Sequence, residues 1–167
     1  MNLMREPKVK KLILSAGATG TNLDKSVKLF KILTGMNPQI IKAGPKQRIP
    51  SFGVRPGLPL GTRVTIRGKK SIALLKKLLG AVDNSLNKKK VSENHLSFGI
   101  KEYVDIPGIE YDREIGIRGF NVTVNFERAG KRVKIRKVKS GKLPKKQHIS
   151  KEEIITKMEE NFKTEFR

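Results

Sequence analysis

The sequence predicts an α+β protein, an antiparallel β-sheet with helices gathered on one face. Segments of strand and helix pattern follow one another as β-α-β-β-α-β-β-α, without the regular βαβ alternation of a parallel sheet. Phe120, Val122, Val124 and Phe126 recur at period two, as on a strand with one buried face. A chain of 167 residues supports one core but would leave two marginal, so 1–167 is read as a single domain.

The elements follow in order. Residues 11–15 read as a strand, closed by the small-residue turn from Ala16 to Gly20. Thr21 with Asp24 three residues on marks a helix start. Leu23, Val27, Phe30 and Leu33 then recur at helical spacing until Gly35. Residues 38–43 form a short strand that enters the longest loop, punctuated by Gly44, Pro45, Pro50, Gly53, Pro56, Gly57, Pro59 and Gly61. The β-branched run 62–67 is a strand with Arg63, Thr65 and Arg67 on one face. After Gly68 comes a second helix, with Ile72, Leu75, Leu78, Leu79 and Val82 as its buried stripe and Lys69, Lys70, Lys76 and Lys77 outside.

Residues 84–94 read as a polar loop. Residues 96–106 and 118–127 read as two strands that pair antiparallel, the first ending at the Pro107-Gly108 turn. Ser150 and Glu153 form a capping box, with Ile149 and Ile154 as a hydrophobic staple, opening a helix over about 150–163. No internal repeat is visible. With helices on one side, the sheet's other face is open to an RNA.

The chain carries 37 Lys and Arg against 15 Asp and Glu, a net charge of +22. Its placement matters more than its size. Residues 25–82 are 58 positions without a carboxylate and with 13 Lys and Arg; residues 128–148 are 21 more with 10. The rest holds 14 basic and 15 acidic side chains, so the whole excess lies in these two segments. Solubilising surfaces mix both signs, whereas acid-free runs of this length point to a polyanion, and a nucleic acid is the expected partner. A general DNA-compacting or architectural protein is the alternative that charge alone permits.

Several classes are excluded. Without cysteine there is no disulfide framework, thiolate zinc site or cysteine nucleophile, and a reducing compartment is expected. The N-terminal stretch from Met1 to Pro7 lacks a signal-peptide apolar run, and no segment has the length of a membrane span, so a cytoplasmic protein without membrane contact is expected. The turn from Ala16 to Gly20 lies between strand and helix and offers backbone amides to phosphate. It is no nucleotide-hydrolase loop, because Asp24 precedes Lys25-Ser26 where glycine is required. Glu102, Asp105, Glu110, Asp112 and Glu114 read as a solvated turn rather than a carboxylate dyad or magnesium site. His95 and His148 lack companions at ligand spacing. No catalytic residue, cofactor or metal is expected.

Residues 118–126 superficially match the aromatic strand of RNA-recognition domains, but Asn121 and Val122 break the motif. With 5% aromatics and no Trp, the chain lacks platforms for a series of splayed bases. A folded RNA, read through phosphates, 2′-hydroxyls and shape, fits better.

Six segments in order carry a family likeness: Met4-Arg5-Glu6-Pro7-Lys8-Val9, Leu33-Thr34-Gly35, Phe52-Gly-Val-Arg-Pro-Gly-Leu-Pro-Leu-Gly61, Val64-Thr-Ile-Arg-Gly68, Phe98-Gly-Ile-Lys-Glu-Tyr-Val-Asp-Ile-Pro-Gly108 and Tyr111-Asp-Arg-Glu-Ile-Gly116. Together they resemble the universal protein five of the large ribosomal subunit. Pro7, the Ile106-Pro107-Gly108 turn and the basic stretch ending at Lys146 resemble its archaeal and eukaryotic-cytosolic branch, archaea above all. The resemblance implies a cytoplasmic ribosomal protein bound to 5S rRNA and large-subunit rRNA, beside neighbouring proteins of the central protuberance. It also implies contact with P-site tRNA through a flexible loop.

Carried onto this chain, the resemblance assigns 5S rRNA to Ser15, Gly17, Thr19, Lys42, Arg63 and Arg67, and the tRNA-facing loop 46–61 to Lys46, Arg48, Phe52 and Arg55. Further rRNA contacts fall to the basic segment 128–148, with Arg128, Lys131, Arg132, Lys134, Arg136, Lys137, Lys139, Lys142, Lys145 and Lys146. The chain departs from the family pattern at Ser15-Ala16-Gly17-Ala18-Thr19, where the family has an asparagine followed by a glycine-rich turn. It departs again at Arg128-Ala129-Gly130-Lys131, and before Phe98, where the usual Gly-Asn pair is missing.

Overall fold

A computed structural model describes residues 3–167; Met1 and Asn2, at the head of the N-terminal stretch discussed above, lie outside the described residues. The strands are β1 (Lys8–Gly17), β2 (Gln39–Lys42), β3 (Pro59–Arg67), β4 (Ser85–Leu86), β5 (Val91–Ser92), β6 (His95–Ile100), β7 (Phe120–Glu127) and β8 (Glu165–Phe166). The helices are α1 (Thr21–Thr34), α2 (Lys69–Gly80), α3 (Arg132–Ile135) and α4 (Lys151–Phe162). Six strands form one sheet in the order β2-β3-β1-β7-β6-β5, with β2–β3 and β5–β6 antiparallel, and β4 pairs β8 in a separate parallel ribbon. The expected α+β class is present.

The long strands alternate strictly. Leu12 and Leu14 on β1, Thr62, Val64 and Ile66 on β3, Leu96, Phe98 and Ile100 on β6, and Phe120, Val122, Val124 and Phe126 on β7 are all buried. Their odd-numbered neighbours carry the polar and basic side chains, including Ser15, Arg63, Arg67, Ser97 and Thr123. Period-two burial of this kind fixes register, since a slip of one residue would turn every apolar side chain outward.

The backbone divides into two compact units. One comprises residues 13–66 and 99–122. Leu14, Leu23, Leu29, Phe30, Val64, Tyr103, Ile115 and Phe120 are buried there, and the rings of Phe30 and Phe120 meet edge to face with centroids 5.6 Å apart. The other comprises the described residues up to 12, then 67–98 and 123–167. Its buried residues include Leu75, Leu78, Leu79, Leu96, Val124, Phe126, Ile149, Ile154 and Met158.

Several expectations change in detail. The helix start expected at Thr21 lies one residue earlier: Gly20 is the N-cap at φ 59° and ψ −141°, a conformation glycine alone adopts freely, and Thr21 is already helical. Asp24 does lie in the first turn, where the helix dipole favours it. On α2 the buried stripe is Ser71, Leu75, Leu78 and Leu79, while Ile72 is 41% exposed. Ser71 tolerates burial because its hydroxyl donates to the Gly68 carbonyl at 2.7 Å. The strand expected over 96–106 stops at Ile100, and a 3₁₀ turn at Tyr103–Asp105 replaces its end. Tyr103 is drawn inward there, its hydroxyl accepting the Asp112 amide at 2.8 Å and its own amide donating to Arg118 O at 3.1 Å. The expected loop 84–94 contains β4 and β5.

Candidate nucleic-acid interface

The first candidate surface lies on β1, β2 and β3. Ser15 and Gly17 occupy the side of β1 opposite Leu12 and Leu14; Ser15 is half-buried, Gly17 and Thr19 exposed. Arg63 and Arg67 are exposed on β3, and the Arg63 Nε donates at 3.0 Å to Gln39 Oε1, its cross-strand partner on β2. Lys42 reaches this side through an irregularity: the register shifts between Ile41 and Lys42, pairing Lys42 with Pro59, whose parity along β3 is that of Arg63. A bulge re-aims a side chain in this way.

The turn after β1 leads into α1, whose N-terminus has no side-chain cap, although the Ala18 amide is already used by Leu60 O at 3.0 Å. The first-turn amides are thus left without a side-chain partner, as phosphate binding requires. Asp24 in the same turn opposes an anion.

The loop between β2 and β3 is more ordered than its glycines and prolines suggest. Ala43 donates to Leu58 O at 2.7 Å and Gly57 to Ala43 O at 3.0 Å, closing its base. Gln47 Oε1 accepts the Gly44 amide at 2.9 Å, and Ile49 pairs with Val54 across a 3₁₀ turn at Pro50–Phe52. Phe52 stands 80% exposed on this turn, and Lys46, Arg48 and Arg55 are exposed around it.

The third surface is the basic segment after β7. Its middle folds on itself: α3 is a single helical turn, Gly141 donates to Val133 O at 3.0 Å, and Arg136 Nε donates to Lys139 O at 2.6 Å. Arg132, Lys134, Arg136, Lys137, Lys139, Lys142, Lys145 and Lys146 are all exposed. Arg128 and Lys131 differ. Arg128 Nη2 donates to both carboxylate oxygens of Glu153, at 2.6 and 2.7 Å, and Lys131 Nζ lies 2.6 Å from Glu127 Oε1. Counting cations along the sequence gave no means to separate these two from the rest. The available signal was Glu153 itself, already marked by the capping box.

The remaining candidates resolve into structural roles. Asp112 Oδ1 accepts the Glu114 amide at 2.8 Å, and Glu114 pairs with Lys28 at 2.5 Å. Among the described residues no group of three or more His, Cys, Asp or Glu is placed to hold a metal ion. Phe120 and Phe126, the aromatics of the RNA-recognition-like run, are buried and offer no stacking face.

Fold and charge together define a class: an α+β protein whose basic side chains are gathered on one sheet face, one loop and one folded arm, the arrangement of a polyanion-binding protein. The C-terminal model of the uL5 family of ribosomal proteins matches residues 59–158. Large ribosomal subunit protein uL5 of Nanoarchaeum equitans is 41% identical over 91% of this chain and 90% of its own length. The proteins of the same name from Sulfurisphaera tokodaii and Methanosphaera stadtmanae are 40% and 36% identical, each over 97% of this chain and over 93% and 97% of their own lengths. The chain belongs to the uL5 family of ribosomal proteins, in its archaeal branch, a family of structural rather than enzymatic proteins.

Proposed function

We propose that this chain is a structural constituent of the large ribosomal subunit. It binds 5S rRNA through Ser15, Gly17, Thr19, Lys42, Arg63 and Arg67, and large-subunit rRNA through the exposed cations of the 128–148 arm. It meets P-site tRNA with the loop that carries Lys46, Arg48, Phe52 and Arg55, among neighbouring proteins of the central protuberance. The observation that carries this reading is the segregation of charge: within 128–148 eight exposed cations stand with no carboxylate among them. The relatives named as large-subunit proteins over nearly their whole length support the same reading.

Phosphate contacts supply affinity and position, while hydroxyls such as Ser15 and Thr19 suit 2′-hydroxyl and phosphate oxygens, so the surface reads folded RNA by backbone and shape. The loop presents one aromatic between two arginines, enough to stack on a single exposed base. Gel shift against folded 5S rRNA and against duplex DNA of equal charge tests the reading. A clear preference for the RNA is expected; equal affinity favours a general architectural protein instead. If on the order of 6 to 10 phosphates are neutralised, binding weakens by roughly 10³ to 10⁵ between 50 and 200 mM salt.

A further inference from the structure

Arg128 stands where β7 ends and the basic arm begins. We propose that it is a positioning residue, one that closes the base of the arm and presents the arm's other cations to RNA without touching RNA itself. The inference rests on the RNA-binding reading above. It differs from that reading by removing a cation from the contact surface and giving it a neighbour-holding role.

Only 12% of the Arg128 side chain is exposed, so little of it is accessible to a phosphate. Its two terminal nitrogens hold separate parts of the chain: Nη2 donates to Glu153 in the first turn of α4, and Nη1 donates at 3.0 Å to the carbonyl of Lys146, at the far end of the arm. One guanidinium thus ties residues 128, 146 and 153 together and closes the arm into a loop. Only a planar fork makes such contacts in several directions; an ammonium acts as a point charge.

Two further straps hold the same base. Lys131 pairs with Glu127, and Asn94 Oδ1 accepts the Ile149 amide at 3.0 Å while its own backbone carbonyl accepts the Phe126 amide at 2.8 Å. The arm carries eight exposed like charges that repel one another, and with no carboxylate inside 128–148 the carboxylates that pair with its base come from outside it, at Glu127 and Glu153. Holding those charges in place before RNA arrives lowers the ordering cost of binding.

Glu153→Gln decides the matter because the two roles predict opposite signs. Glutamine still completes the capping box with Ser150, so the helix start survives. If Arg128 contacted phosphate, losing the carboxylate would free it, add net positive charge and tighten binding. If Arg128 positions the arm, the change loosens the arm and weakens binding despite the added charge.

The experiment compares the full-length wild type with Glu153→Gln, Arg128→Lys and Arg128→Met. One readout is tryptic cleavage within the arm of the free protein, with circular dichroism as the folding control. The other is filter binding to refolded large-subunit rRNA across a salt series. Expected for all three variants are faster cleavage in the arm and affinity lower by about tenfold, the equivalent of about 1.4 kcal/mol. The slope of log affinity against log salt stays that of the wild type. The proposal is overturned if Glu153→Gln binds as tightly as wild type or tighter with unchanged cleavage. It is equally overturned if Arg128→Lys keeps wild-type affinity while Arg128→Met lowers the slope by roughly 0.9, the signature of one lost phosphate contact. A wild type that binds no rRNA sinks the RNA-binding reading, and arm cleavage then decides the closing role of Arg128 by itself.

Discussion

Gly61 and Ala16 meet backbone to backbone where β3 passes β1: a Cβ built on Gly61 would stand 2.6 Å from the Ala16 carbonyl oxygen and 3.3 Å from Gly17 Cα. No side chain fits at the first of these distances. The contact joins the strand that carries Ser15 and Gly17 to the strand entered from the Pro/Gly-rich loop, so the glycine sets how closely the two candidate RNA surfaces approach.

Gly61→Ala therefore forces β3 away from β1. Overpacking of this kind costs about 1 to 3 kcal/mol, so thermal unfolding should move down by several degrees. Gly17→Ala is the matched control, because nothing lies within 4 Å of the position its Cβ would take. Its stability should stay within about 0.5 kcal/mol of wild type. Similar melting temperatures for the two variants would mean the close approach is relieved by a small strand shift.

Ser150 Oγ accepts the Glu153 amide at 3.3 Å while the Glu153 carboxylate accepts the Ser150 amide at 3.1 Å. Ile149 and Ile154, the staple on either side, are both fully buried. Ser150→Ala removes one half of the box, and the expected loss is about 1 kcal/mol, read as a lower urea midpoint with an unchanged m-value. A changed m-value would point instead to a change in the compactness of one of the two states.

Two exposed ion pairs give stability a pH dependence with predictable signs. The hydrogen bond and charge of Lys157, at 2.7 Å, hold the Glu6 carboxyl below its ordinary value of 4.5. That stabilisation is complete above 4.5 and is lost as pH falls through the lowered folded value. The hydrogen bond and charge of Glu114 raise the Lys28 ammonium above its ordinary 10.5, so its stabilisation is complete below 10.5 and is lost as pH rises through the raised value. In urea titrations Glu6→Gln should flatten the acid limb and leave the alkaline limb alone, and Lys28→Gln should do the reverse. Added salt should shrink both effects, since exposed pairs are screened.

How far the sequence reveals the fold depends on the range of the interaction concerned. Period-two burial on β7, the capping box at Ser150 and the leucines of α2 are local patterns, and each is readable in the sequence. The pair β4–β8 joins residues 85–86 to residues 165–166, and no local pattern marks two-residue strands so far apart. Ser71 in place of Ile72 in the buried stripe turns on one hydroxyl finding the Gly68 carbonyl, a matter of geometry rather than hydropathy. For the candidate interface, charge runs located the arm and the loop. They could not tell an exposed cation such as Lys137 from Arg128, because a count of basic residues carries no record of where carboxylates from other segments will stand.

Phe52 offers a sharper test of the loop than its arginines do. At 80% exposure it contributes little packing, and the loop's base is held by Ala43, Gly57 and Leu58 backbone bonds that do not involve it. Phe52→Ala should leave the melting temperature close to wild type, an expected change within about 0.5 kcal/mol. If the ring stacks on a base of the tRNA, its loss should weaken tRNA binding by roughly 1 to 3 kcal/mol, while the salt slope is untouched because no charge is removed. Arg55→Ala should behave the other way, weakening binding modestly and lowering the slope by about 0.7 to 0.9 for one lost phosphate contact. Filter binding of full-length variants to deacylated tRNA over a salt series separates the two. If Phe52→Ala binds tRNA like wild type while Arg55→Ala does not, the loop works by charge alone and the exposed ring has no part in recognition.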